Sequence, residues 1–162
     1  MFKWLFGRQQ TEVAAGGTAE IVVVTRKVNV PREAAFAAFV DRFDTWWPRQ
    51  RRLSGGAIAI EPRMAGKATE DGTQIGTVLS FQRPDHIVIA WQIGPEGRTE
   101  PSEGSSSRID VRFVAIDPQT TEVIVVHRDF ARHGDGWQDY RAEMGGRDGW
   151  PALIEAYAKT VG

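Results

Sequence analysis

Between residues 20 and 130 apolar side chains mostly alternate with polar ones; the period lengthens to that of a helix once within this stretch and once more at the end of the chain. Residues 21–28 (IVVVTRKV) are β-branched and read as a strand. After Pro31 the spacing changes: Ala35, Phe36, Phe39, Val40 and Phe43 fall on one helical face across residues 32–44. Thr45-Trp46-Trp47-Pro48 ends that region, because Pro48 disfavours helical backbone in the residue before it. Residues 55–61 and 66–70 read as short strands, with Asp71-Gly72 as a hairpin turn. Strands over 75–82 and 87–93 flank Arg83-Pro84-Asp85-His86, and Ile87, Ile89, Trp91 and Ile93 share a face. Residues 94–107, rich in Gly, Pro, Ser and Glu, read as a mobile loop. The cleanest alternation covers 108–116, and 121–130 is the last strand. The second helical stretch closes the chain: Trp150, Leu153, Ile154, Tyr157 and Val161 form one apolar stripe. Asp148 or Gly149 can cap this helix, and Pro151 suits its first turn.

This order predicts an α+β fold: a curved antiparallel sheet of about six to seven strands wrapped around the C-terminal helix, with two short helices after strand 1. A chain of 162 residues suits one domain, expected over 20–162, with 1–19 as an N-terminal extension and linker. Residues 1–8 (MFKWLFGR) are aromatic and basic, but too short for a signal-peptide core. The net charge of −1 gives no general attraction to nucleic acid, and the absence of cysteine removes disulfides, thiol nucleophiles and thiolate metal sites. No apolar run approaches the ~20 residues of a membrane span. A cytoplasmic protein is the expectation.

Several short motifs in their order are similar to one family. Residues 25–31 (TRKVNVP) followed by Ala35-Phe36 and Ala38-Phe39 look like its first strand and opening helix. Trp46-Trp47-Pro48, the run from Asp71-Gly72 to Gly76, residues 83–88 (RPDHIV) leading to Trp91, and Gly149-Trp150-Pro151-Ala152-Leu153 complete the pattern. Over roughly residues 20–161 the chain resembles the activator of Hsp90 ATPase homologue 1-like family, within the START/Bet v 1-like helix-grip superfamily. It departs at Arg63-Met64-Ala65-Gly66, a loose version of the family's double glycine. It departs again over 132–147, a longer approach to the last helix that contains a second Gly136-Trp137. That rival start fails on register, since Arg141 falls where Trp150 places Ile154. The resemblance implies a helix-grip fold with a ligand cavity. It also implies a possible Hsp90-like chaperone partner, or an aromatase/cyclase-like activity found on the same fold.

Candidate chemistry is sparse. His86 lies in a turn and His133 in a loop, both expected in solvent. His127 continues the face of Val123 and Val125, so it is expected inside, as a hydrogen-bonded core residue or a polar anchor for a ligand. It shares that face with Asp129 but has no third ligand nearby, so no metal site and no cofactor are expected. Carboxylate pairs such as Asp41/Asp44 and Asp135/Asp139 read as solvated, and no nucleophile motif is present. Trp46-Trp47 followed by Arg49, Arg51 and Arg52 reads as one packed tryptophan with surface arginines rather than a nucleic-acid site. The remaining signal is aromatic: Trp46, Trp47, Trp91, Phe113, His127, Trp150, Ile154 and Tyr157 are the candidate lining of a cavity for a hydrophobic or amphipathic small molecule. No catalytic residue is assigned. The expected function is ligand binding without catalysis. The alternatives are a chaperone-interacting module or a cyclase-like enzyme using His127 or Tyr157 as acid or base.

Overall fold

The computed structural model describes residues 20–99 and 102–161. The expected extension over 1–19 lies outside the described residues. Seven antiparallel strands, β1 (Val22–Val28), β2 (Ile58–Ile60), β3 (Lys67–Glu70), β4 (Thr73–Gln82), β5 (His86–Trp91), β6 (Ser107–Asp117) and β7 (Thr120–Arg128), form one sheet in the order β1-β7-β6-β5-β4-β3-β2. Its curl has identifiable local causes. Register shifts at Ala68/Thr69, Val78/Ser80 and Ala115/Asp117 insert extra residues that bend the strands.

Two short helices, α1 (Arg32–Val40) and α2 (Phe43–Trp46), follow β1 as expected, and α4 (Trp150–Val161) closes the chain. Trp150, Leu153, Ile154 and Tyr157 are buried on α4, which packs against β1, α1 and α2. Gly149 supplies the first helical acceptor: its carbonyl takes the N–H groups of Ala152 and Leu153, both at 3.0 Å. Glycine is required there, since a Cβ would lie 2.3 Å from the Met144 carbonyl oxygen.

Three sequence expectations need correction. The approach to the last helix is itself ordered: a 3-10 turn over Phe130–His133 leads into α3 (Trp137–Gly145). Its face is short, only Tyr140 and Met144 being buried, so the helical period is weak in the sequence. The described parts of the 94–107 loop, 94–99 and 102–107, hold local structure that the composition did not signal. Ile93 bridges Thr99, Gly94 N–H donates to Arg98 O at 2.7 Å, and Pro95 and Ser106 are buried. Both tryptophans of the Trp46-Trp47 pair are packed, and Arg52 is interior, its side chain 2 % exposed.

Candidate ligand cleft and the buried histidine chain

The core is an aromatic cluster gathered from distant parts of the chain. Trp47 meets Trp91 (centroids 5.2 Å), Phe43 (5.2 Å), Trp46 (5.5 Å) and Trp150 (5.8 Å), at tilted or edge-on angles favoured by ring quadrupoles. Tyr157 packs on Phe39 and Trp46 and donates its hydroxyl proton to Ala35 O at 2.7 Å. Burial pushes that phenol's pKa up. All eight sequence candidates are buried. Only Trp47 and Trp91 border a cleft; Trp46, Phe113, His127, Trp150, Ile154 and Tyr157 belong to the packing behind it.

The cleft, about 370 Å³, opens between the turn after α2, the Gly94–Gly97 segment and α3. Trp47, Trp91, Ile93, Tyr140 and Met144 form its apolar wall, with Leu53 at the rim. A second hollow of about 270 Å³ adjoins it, sharing Glu96, Tyr140 and Glu143. Gln50, Arg51, Arg52, Glu96 and Glu143 complete the lining, and a set of polar contacts holds the wall in place. Arg51 ties the turn to α3 through Glu143 (2.5 Å) and Asp148 O (2.7 Å). Arg52 donates to Trp47 O, Asp44 Oδ1, Asp44 O and Gly56 O. The buried Glu70 carboxylate accepts from Leu53 N–H (2.7 Å), Ser54 N–H (2.5 Å), Ser54 Oγ (2.6 Å) and Gly56 N–H. Burial alone would raise the Glu70 pKa, but these donors outweigh it and leave it lowered. Asp44 is lowered too, chiefly by the Ile58 N–H, with Arg52 contributing. Tyr140 donates to Ile93 O at 2.7 Å, joining α3 to the segment after β5.

Behind Tyr140 lies a chain of buried polar groups. Trp150 Nε1–H donates to His127 Nδ1 at 3.0 Å. An indole only donates, so neutral His127 carries its proton on Nε2 and donates to Ser107 Oγ at 2.7 Å. The Ser107 hydroxyl then donates to His133 Nε2 at 2.8 Å, and the Ser107 N–H points to the same nitrogen at 3.3 Å. Phe130 stacks on His127 at 4.1 Å. Burial, with His133 adding, holds the His127 pKa well below its ordinary value. The expectation that His133 is solvated is overturned: it is 4 % exposed, because the 3-10 turn after β7 folds it back over β6. His86 is also not free in solvent; it opens β5 and pairs with Asp110 at 2.7 Å. Asp129 does not share the face of His127, because its left-handed backbone (φ 63°) breaks the alternation. Ser107, His133, Tyr140 and Met144 were missed by sequence reasoning. Only the helical spacing of Tyr140 and Met144 could have signalled two of them.

Among the described residues no group of three or more His, Asp or Glu could hold a metal ion, and no helix is long and apolar enough to cross a membrane. The curled sheet gripping a terminal helix, with a cleft at its aromatic end, defines a helix-grip domain. More narrowly, the model of the activator of Hsp90 ATPase homolog 1-like protein family matches residues 29–162, and the chain belongs to that family. No curated protein matches the chain significantly. Among solved structures it is similar to CalC, a self-sacrificing resistance protein from Micromonospora echinospora (25 % identity, TM-score 0.63, 88 % of this chain and 94 % of that one). It is also similar to an anthrahydroquino-γ-pyrone synthase (28 %, TM-score 0.58, 88 % and 98 %). An Hsp90 activator from Plasmodium falciparum shares the fold (19 %, TM-score 0.57, 84 % and 94 %).

Proposed function

We propose that this domain binds an apolar or amphipathic small molecule in the cleft bordered by Trp47, Trp91, Ile93, Tyr140 and Met144. The observation that carries the reading is a cleft whose apolar wall of Trp47, Trp91, Ile93, Tyr140 and Met144 is braced by Arg51, Arg52 and Glu70. A volume of about 370 Å³ suits a small ligand, for which sites of roughly 300–1,000 Å³ are usual. Identity of 28 % to a synthase of a small molecule supports the same class. The reading is one of binding rather than catalysis. His127 and Tyr157 are wholly buried, and each is engaged by a hydrogen bond that a proton transfer would have to break. The test is ligand-observed NMR with aromatic and fatty-acyl compounds on the full chain, with shift mapping. Shifts concentrated at Trp91 and Tyr140, and weakened at least severalfold by Leu53→Trp at the exposed rim, are expected. Binding that maps elsewhere, or none, overturns it.

Family membership favours one second reading, contact with an Hsp90-type chaperone. Its test is the chaperone's ATPase rate with this protein at high micromolar concentration. An unchanged rate disposes of that role.

A further inference from the structure

The tryptophans around the cleft differ in how their N–H groups are satisfied. Trp46 donates to Phe39 O at 3.1 Å and Trp150 to His127 Nδ1 at 3.0 Å. Trp47 is 3 % exposed, and its Nε1–H has no partner among the described residues. The buried Arg141 Nε shares that condition, but Arg141 still donates through Nη2 to Ile21 O. The indole of Trp47 has a single donor and no such second outlet. A buried donor without an acceptor costs about 1–3 kcal/mol, so an acceptor delivered by an occupant recovers an appreciable part of that. Phe43, Trp46, Trp91 and Trp150, the rings packed against Trp47, carry no oxygen. Trp47 itself borders the cleft.

The charge around the site selects the acceptor. Arg51 and Arg52 both line the cleft, but Arg52 is already paired with Asp44 and backbone carbonyls, and Arg51 with Glu143 and Asp148 O. An anionic oxygen brought to Trp47 would therefore be desolvated among rings without a dedicated counter-charge, whereas a neutral oxygen incurs far less. We propose, resting on the cleft reading above, that the ligand class is a planar aromatic ketone whose carbonyl oxygen accepts from Trp47 Nε1–H, with its rings against the Trp91 side of the cleft. The nitrogen is covered, so a small opening of the rim accompanies binding.

The experiment uses a matched pair, 9-fluorenone and fluorene, which share a three-ring shape and differ in the carbonyl. Each is titrated calorimetrically into the full chain and into Trp47→Phe. In the wild type, fluorenone is expected to bind about tenfold more tightly, in line with one buried hydrogen bond. Trp47→Phe weakens both probes through lost packing, and the preference falls to about one. A preference that survives in Trp47→Phe, or fluorene binding in the cleft with no preference for fluorenone, overturns the assignment and leaves the cleft reading standing. Failure of fluorenone to bind up to its solubility overturns the ketone assignment, whereas the cleft reading falls only if the aromatic and fatty-acyl compounds of the NMR test also fail to map to the cleft. If Trp47→Phe does not fold, the wild-type indole ¹H–¹⁵N signal of Trp47 decides. A downfield move with fluorenone but not fluorene supports the proposal, and equal moves overturn it.

Discussion

At the scale of single residues, the buried positions are governed by hydrogen-bond arithmetic. His127 has one acceptor nitrogen and one donor nitrogen, and both are used, by Trp150 and Ser107. Protonation would turn the acceptor into a second donor facing an indole N–H. Because the native pKa is depressed relative to the unfolded chain, unfolding takes up a proton below the ordinary value of about 6.5. Stability is therefore full above that pH and declines as pH falls through it, by at most about 1.4 kcal/mol per pH unit for one group. Urea midpoints of wild type and His127→Leu between pH 7.5 and 5.5 check this. The variant is expected to be less stable by about 2 kcal/mol at pH 7.5, from the orphaned Ser107 and Trp150, and to lose most of the acid slope. An identical slope in both proteins would exclude His127 as its source.

Among the elements, loops and helix starts are held by particular contacts rather than by propensity. Glu70 closes the segment from Leu53 to Gly56 by accepting three backbone N–H groups and a hydroxyl. Its lowered pKa means the contribution is present above the ordinary carboxylate range and lost as pH falls through the native value. Glu70→Gln should cost about 2 kcal/mol near pH 7, by loss of charge-assisted bonds, and flatten the acid limb of a stability–pH curve below about pH 4.5. Chemical denaturation across pH 3–7 reads both effects. At the start of α4, Gly149→Ala would drive a methyl into the Met144 carbonyl, and a loss above about 2 kcal/mol is expected. A thermal midpoint within a degree of wild type would show that the approach to α4 can shift at little cost.

On the scale of the whole molecule, the cleft sits where α3, the turn after α2 and the end of β5 converge, so an occupant adds to the bracing that Arg51, Tyr140 and the Trp47–Trp91 contact already supply. A ligand at 100 times its Kd should stabilise the fold by about 2.7 kcal/mol, raising the melting temperature by roughly 5–10 °C for a chain of this size. Differential scanning fluorimetry reads this directly, and no shift from a compound that NMR places in the cleft would mean it binds the unfolded chain equally. The strands, the paired helices and the α4 stripe were legible because period two and period 3.6 are local properties, written in neighbours such as Ile109, Val111 and Phe113 or Trp150, Leu153 and Ile154. The motif order over roughly residues 20–161 likewise carried the family, whose model matches residues 29–162. The site was only partly legible. Trp47 and Trp91 stood out as large aromatics, but nothing along the chain separates them from Trp46 or Trp150, which pack out of the cleft's reach. His133 and Ser107 lie 26 residues apart and look like ordinary loop residues, and Tyr140 and Met144 belong to a helix with a two-residue apolar face. The sequence by itself determined the elements and their class, because hydrophobic period acts over a few residues. Tertiary structure alone decided which aromatics face a cleft, which histidines are sealed and which indole lacks a partner, because those depend on contacts between segments far apart in the chain.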